Sequence, residues 1–500
     1  MPSPATKPYH SHTIVAITKL MVRARSQPDR RRALAGIAVA ATALRAAAPA
    51  LRLGVPSGPL TAWARTHLGL LERRTGAGVE IIPFDTDTGA DPGKAADVVL
   101  AAPSELGRLA PGLVPVPDGI TRPSSEIGWG NLLPVWRDRL ASWSGTTLGL
   151  PVHGDLRLLV CRADLFNGAD RNRRFEARHG RPVRAPVTWR EAVELAEFWK
   201  AETGKPGWTP LPSAPGDRLR LFYAIASGHV VERLSATDRA RSEKLDEQAR
   251  FGLEFDLSNG KCLLGGGGFI RAGEIMARLA SLAPGGEPSA QPWQAFERGD
   301  APMAIVPVSA ISRLQRRKAS RDRFSIHPVP GGDAVLPAKG GPAVPYPLGN
   351  LVPHLGMGGA LACVSRSAFD IPRSWALATV LASPALSQDA VLDPGLGGPV
   401  REQQLDAGPW DGLELDRERL DQFRAALRRT LLPLDCINPS LVLRLPDARS
   451  LAGRLERGIA DILAGKQAME ALAAVAADWN AARSGRGAAL GEVRANVGLS

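Results

Sequence analysis

The sequence predicts an α/β fold spread over more than one lobe. Three observations carry that reading. Strand-like and helix-like patterns alternate from Leu51 onward, 52 Gly and 42 Pro punctuate them, and 500 residues exceed what one hydrophobic core organises. Hydrophobic residues make up 44% of the chain, enough to build sizeable cores.

Leu51–Val55 reads as a short strand closed by Pro56-Ser57-Gly58. Thr61–Arg74 has helical spacing, with Leu60, Trp63, Ala64, Leu68 and Leu71 facing inward, and Gly76 and Gly78 stop it. Val79–Pro83 is the next strand, and the apolar run Asp97–Ala101 reads as a buried third. This βαβαβ opening argues for a sheet with right-handed crossovers. The segment 171–184, with its Arg-rich RNRR run, reads as an exposed inserted loop. Thr188-Trp189-Arg190-Glu191 is a capping box that opens a helix running to about Ala201. Phe269–Leu282 is a helix entered from Gly265–Gly268, a glycine turn without the spacing and Lys of a phosphate loop. The C-terminal third is helical over Arg373–Leu381, Leu415–Thr430, Ala448–Ala464 and Ala468–Ala482, and 486–500 reads as a loose tail. Cys161 and Cys363 sit in apolar runs and read as buried strand residues. Cys262 and Cys436 lie near turns and could pair in an oxidising compartment.

The net charge of +12 falls to +5 once residues 1–50 are set aside, which is no nucleic-acid footprint. The densest remaining basic cluster, Arg313, Arg316, Arg317, Lys318 and Arg321, reads as a solvated helix face, with an anion or lipid-headgroup contact as the alternative. Arg30, Arg31 and Arg32 precede the apolar stretch Ala33–Leu44, and Ala48-Pro49-Ala50 follows it. These are the three parts of a secretory signal, so residues 1–50 are expected to be removed on export to the periplasm or the extracellular space. The adjacent arginines also resemble a twin-arginine signal. No metalloprotease HExxH, no G-x-S-x-G, no strand-borne GxGxxG, no P-loop and no CxxC pair is present. The chain is therefore expected to be no enzyme and to hold no metal.

Several segments, in order, carry a resemblance. Leu71-Glu-Arg-Arg-Thr-Gly-Ala-Gly-Val79 looks like a helix-to-strand "F-x-x-x-T-G-x-x-V" turn, and Ala96–Val99 like a "P-D-I-I/V" strand. Leu150–Asp155 with Leu158–Phe166 looks like "LP-x-x-x-[DE]-x-x-x-L-x-Y-N-K-D-L-F", and Thr188–Glu191 like "TWEE". Ala295–Met303, Pro328–Gly332, Gly358–Ser365, Trp375 with Ser383-Pro384, and Leu463–Ala468 with Ala471-Leu472 continue the series. Together, from about 51 to 485, they resemble the family 1 extracellular solute-binding proteins of ABC importers, the maltose-binding-protein-like group. The resemblance implies a two-lobed, type II periplasmic-binding-protein-like fold that closes on ligand by a hinge. It places 51–154 with 327–372 in one lobe and 155–326 with 373–485 in the other, and crossovers near His153–Leu156, Ile326–Pro328 and Trp375. It implies a monomer without cofactor that captures a small polar molecule, a sugar or polyol, for an ABC-transporter permease. Two alternatives stay open: a ligand-sensing partner of a membrane receptor, and an exported enzyme on the same scaffold.

Open α/β sheets bind ligand beyond the carboxyl ends of their strands. Ser57 and Gly58 follow the first strand, and Ser104 and Glu105 follow the strand ending at Ala101. Asp155 matches the family's acidic ligand position at the crossover, and Ser309 and Gly358 match ligand-facing positions. Asp155 also reads as a hinge turn, and Ser104 and Glu105 as helix-start residues. His153, beside the proposed cleft, reads as a ligand contact or as hinge packing. Trp129, Trp208, Trp293 and Trp410 lie beside Gly or Pro; the first three are candidate platforms for a sugar ring, and each reads as well as a packing or lobe-surface residue. Trp189, Trp199, Trp375 and Trp479 sit at helical spacing and read as core. The family's stacking positions fall near Ala101, Ser309 and Ala452, none of which is aromatic.

Overall fold

The computed structural model describes residues 49–86, 91–166, 168–238, 240, 243–284, 292–317, 320–321, 323–337, 340–406, 408–432, 436–484 and 489–499. The expected export signal lies outside these residues apart from its last two.

The chain enters the first sheet directly through β1 (Leu51–Pro56). Gly58, at φ 111°, turns it into α1 (Pro59–Thr66), and α2 (Leu68–Thr75) follows. The single helix expected over Thr61–Arg74 is thus two: His67 ends the first and starts the second, its ring Nδ1 lying 2.8 Å from the Trp63 carbonyl oxygen. Gly76 in the left-handed region stops α2, as expected. β2 (Val79–Phe84) and β3 (Val98–Ala101) flank β1 in parallel register, and β4 (Leu150–His153) is the last strand before the chain leaves this sheet.

Residues 154–156 carry the chain into a second sheet at β5 (Arg157–Arg162). The expected exposed loop at 171–184 is instead largely the helix α3 (Ala169–His179). Its single fully buried residue, Phe175, stacks on His179 at 4.5 Å, and the Arg-rich run supplies the solvent face. α4 (Trp189–Thr203) starts as expected: the Thr188 hydroxyl accepts from the Glu191 amide at 3.1 Å. The Glu191 carboxylate reaches one residue further than a capping box, to the Val187 amide at 2.8 Å. α5 (Pro215–Val230) and α6 (Gly267–Leu282) follow. β6 (Met303–Pro307), α7 (Ala310–Arg316) and β7 (Phe324–Pro328) complete the second sheet, an antiparallel β6-β5-β7.

The expected lobe boundaries need two corrections. β8 (Gly332–Val335) and β9 (Val344–Asn350) pair with each other and pack on α5, on the second-sheet side, although 327–372 was assigned to the first lobe. β10 (His354–Leu355) follows, and β11 (Ala360–Val364) then inserts antiparallel between β3 and β4, giving the order β2-β1-β3-β11-β4. α8 (Ile371–Leu381) and α9 (Pro384–Leu392) pack on this first sheet, although residues from 373 onward were assigned to the second lobe. Their apolar faces explain the placement: Leu377, Ala378 and Leu381 are fully buried in the first core. Trp375 lies within α8 rather than at a crossover, and the chain passes to the second sheet between α9 and α10 (Arg417–Leu431), which packs on β7. β12 (Ser440–Leu441) pairs with β10.

The last elements are α11 (Ala448–Leu463), α12 (Ala468–Arg483) and α13 (Ala489–Asn496). The expected loose tail is therefore docked, with Val493, Ala495 and Val497 buried. Two cores result. Along β5 the side chains alternate between them, Leu158 and Val160 in the first, Leu159 and Cys161 in the second. Cys161 and Cys363 are buried strand residues as expected, and Trp189, Trp199, Trp375 and Trp479 are core. Cys262 and Cys436 are buried and not bridged to one another.

Candidate functional site

A cleft of about 650 Å³ opens between walls that belong to the two cores. The first wall collects the strand ends of the first sheet: Ser57 after β1, Phe84 at the end of β2, Ser104 and Glu105 after β3, and His153 at the end of β4. Gly358 and Gly359, which lead into β11, close this side. A Cβ on Gly359 would stand 2.6 Å from the His153 carbonyl oxygen and 2.7 Å from the Trp136 ring, so only glycine fits there. The second wall is helical. Leu219, Arg220 and Tyr223 come from α5, and Arg449, Ala452, Gly453 and Glu456 from one face of α11.

The charged groups of the cleft are paired in a specific way. Glu105 accepts from Arg108 at 2.9 and 2.7 Å and from Arg449 at 3.0 and 2.7 Å, so one carboxylate sits between two guanidinium groups. The Glu105–Arg449 pair joins the two walls. Arg220 donates to Asp217 at 2.8 Å and to the Met357 carbonyl at 2.9 Å, and its Nε lies 3.4 Å from Asp155. Arg157 donates to the same Asp217 oxygen at 2.6 Å. Burial works against the charge on Arg220, but Asp155 and Asp217 outweigh it and raise its pKa. Glu456 is 8% exposed, and burial pushes its carboxyl up to about 7 against the pull of Arg218, 3.4 Å away. Its Oε1 has no hydrogen-bond partner among the described residues.

Neutral groups complete the site. Burial lowers the pKa of His153, whose Nδ1 lies 3.0 Å from the Gly154 carbonyl oxygen. Tyr223 is 3% exposed and stacks on His354 at 4.5 Å and 5°. Burial pushes His354 down to about 3, so it is uncharged at neutral pH.

The sequence-predicted residues divide into three groups. Ser57, Ser104, Glu105 and Gly358 line the cleft together, and Gly58 is the turn residue beside Ser57. Asp155 lies at the crossover next to the cleft, lining a smaller cavity of about 50 Å³ that shares Arg220 and Met357 with it. Ser309 starts α7 and abuts Gly397, outside the cleft. The three tryptophans also lie outside it, which corrects the platform reading and leaves the packing one. Trp129 is buried in the first core, and Trp208 packs 6.4 Å from Trp189 in the second. Trp293 lies beneath Arg313 at 5.1 Å and shares a separate cavity of about 250 Å³ with Trp208. A large apolar ring gains more from a core than from an open wall, and a neighbouring Gly or Pro says where the backbone turns, not where the ring points.

Arg108, Arg220, Tyr223, Arg449 and Glu456 were not singled out by sequence. One signal was present: Arg449, Ala452 and Glu456 recur at i, i+3 and i+7, a stripe of charged and small residues beside the apolar Leu451, Leu455 and Ile459 of the same helix.

No protein-family model and no curated protein matches the chain. Solved structures do. Maltose-bound T. maritima MalE3 aligns with a TM-score of 0.60 at 16% identity, over 87% of this chain and 100% of that one. The fold is that of the ABC solute-binding proteins. The GacH receptor of Streptomyces glaucescens, solved unliganded and in complex with acarbose, matches at TM-score 0.59 and 16% identity over 87% of this chain and 98% of that one. An ABC transporter solute-binding protein from Agrobacterium radiobacter K84, in complex with ribitol, matches at TM-score 0.59 and 16% identity over 86% and 97%. The two-lobed α/β architecture expected from the sequence is thus the architecture of the chain.

Proposed function

We propose that this protein captures a small carbohydrate or polyol in the cleft between its walls and delivers it to an ABC permease, without catalysing a reaction on it. The observation that carries this reading is the cleft itself. It lies beyond the strand ends of the first sheet, its two walls come from different cores, and hydroxyl, carboxylate and guanidinium groups converge on it. Proteins of the same fold were solved with maltose, acarbose and ribitol. Export is part of the proposal. Cleavage after Ala50 would leave β1 whole, beginning at Leu51, and N-terminal sequencing of exported material should start there.

A thermal-shift screen of the mature chain against sugars, polyols, amino acids and oligopeptides tests the capture reading. A true ligand at 100 times its dissociation constant adds roughly 2.7 kcal/mol of stability. A screen in which sugars and polyols leave the melting temperature unchanged while a peptide or amino acid raises it would overturn the carbohydrate class.

A further inference from the structure

The lining of the cleft does not suit a bare, fully hydroxylated solute, for two independent reasons. First, apolar surface faces it from both walls. Phe84 and Leu396 are half-buried against the first core, Met357 and Ala452 against the second, and all four line the cleft. Leu60 and Leu219, 8% and 5% exposed, stand on opposite walls beside them. The cleft face of α11 is open at Gly453, where a Cβ would meet nothing within 4 Å. The Tyr223 ring is no platform for a sugar, because it is already stacked on His354.

Second, the charged groups of the cleft are bonded within the protein. Both oxygens of Glu105 accept from guanidinium groups. Arg220 donates Nη1 to Asp217 and Nη2 to the Met357 carbonyl. Glu456 accepts from Arg218 on Oε2 at 3.4 Å, and its Oε1 is buried. A solute hydroxyl that meets such an occupied group gives up its bonds to water without replacement. The Ser57 and Ser104 hydroxyls, beyond the strand ends, are placed to serve one polar end of a solute. At about 650 Å³ the cleft also has room for more than a small polyol: pockets of roughly 300–1,000 Å³, mostly apolar with a few placed polar groups, take drug-sized molecules.

We propose that the solute is a glycoside with an apolar aglycone, an alkyl or aryl group that lies between the apolar side chains of the two walls while its sugar is held at the strand ends. The proposal rests on the solute-capture reading and narrows its ligand class. Closing the walls on such a group removes its apolar surface from water on both sides, and each methylene buried tightens binding roughly fourfold. Met357, unbranched and polarisable, adapts to aglycones of different shape. Binding strength then comes from aliphatic burial where a stacking surface for the sugar is missing.

Calorimetry on the full chain with matched glycosides tests this: the methyl, hexyl and phenyl glycosides of glucose, galactose and maltose, each below its micelle concentration. The expected result is at least tenfold tighter binding of a hexyl or phenyl glycoside than of the methyl glycoside of the same sugar, with a more negative heat-capacity change. A hexyl advantage would mark an alkyl aglycone, a phenyl advantage an aryl one. Hexanol and phenol alone should bind at least tenfold more weakly than the glycosides that carry them. Gly453→Gln, which puts a polar side chain into the open space on α11, should remove most of the advantage without lowering the melting temperature. An advantage that survives Gly453→Gln in full would place the apolar group outside this cleft and overturn the proposal. Equal or tighter binding of the methyl glycosides would overturn the apolar aglycone and leave sugar capture standing. Binding of none of the glycosides, with a free sugar or polyol as the hit in the wider screen, would overturn it as well. Hexanol or phenol binding as tightly as its glycoside, or no hit among sugars, polyols and glycosides, would sink the carbohydrate-capture reading itself.

Discussion

Glu254 has no exposed surface to speak of, at 1%, and its Oε1 has no hydrogen-bond partner among the described residues. Burial pushes its carboxyl up to about 7, with the Tyr223 hydroxyl bond pulling the other way. The folded state therefore holds a proton that the unfolded chain has already lost above about 4.5. This contribution to stability is complete below that pH and is lost as pH rises through about 7. The buried His354 and His327, pushed down to about 3 and about 4, act oppositely and lose stability as pH falls below 6.5. Comparing wild type with Glu254→Gln cancels the histidines. The two should unfold alike at pH 5, and at pH 8 the Gln protein should be more stable by on the order of 3 kcal/mol. A difference in melting temperature that does not change with pH would show that Glu254 does not titrate in this window. None of this was legible in the sequence, because Glu254 alternates with the apolar Leu253 and Phe255, a pattern that puts it on a solvent face, and only the tertiary fold buries it. Ser57, Ser104 and Glu105 were legible, because the end of a buried parallel strand is a place sequence can locate. Arg220 and Arg449 were not, since their role depends on which helix faces the cleft.

At the scale of elements, long periodic helices were read within a few residues: α6, α11 and α12 fall where their apolar spacing put them. α3 and α13 were missed for a shared reason. Each hides only a few apolar side chains, so local pattern is weak and distant contacts decide. For α13 the deciding contact is Arg444, which is fully buried. Its guanidinium donates to the Ala495 carbonyl at 3.0 Å, to Asn496 at 3.0 and 2.7 Å, and to Arg139 and Ser142 at 2.9 and 3.0 Å. No carboxylate faces it in these bonds, and burial pushes its pKa down to about 9, which still leaves it charged at neutral pH. Among the described residues, backbone carbonyls and the Trp143 ring, 5.9 Å from the guanidinium, thus hold a buried cation and tie the C-terminal helix to the segment that precedes β4. Arg444→Ala would orphan several buried carbonyls, and a loss of about 3–5 kcal/mol is expected. Hydrogen exchange should show the amides of 489–499 losing protection before those of α12. Unchanged protection there would mean that the apolar side chains of α13, not the clamp, dock it.

For the whole molecule, the order of the sequence segments made the two lobes legible, but not how the chain weaves between them. Strands β8 and β9, and helices α8 and α9, landed against the opposite sheet from the one expected, because a crossover can fall anywhere in a loop without changing local pattern. The same weave fixes where the lobes touch. Glu105 leaves the end of β3 in the first core, Arg449 sits on α11 in the second, and their bidentate pair spans the cleft with the two side chains 15% and 33% exposed. A partly shielded pair of this kind is worth about 1 kcal/mol. Glu105→Gln should therefore shift the unliganded protein towards a wider cleft by roughly fivefold in population. Small-angle scattering without ligand should then give a larger radius of gyration for the variant than for wild type, and saturating ligand should bring wild type to its smallest radius. High salt should widen the wild-type protein in the same direction, because a pair open to solvent is screened. Identical radii for wild type and variant, with and without ligand, would show that the walls are fixed by packing along β5 and that this pair does not govern closure.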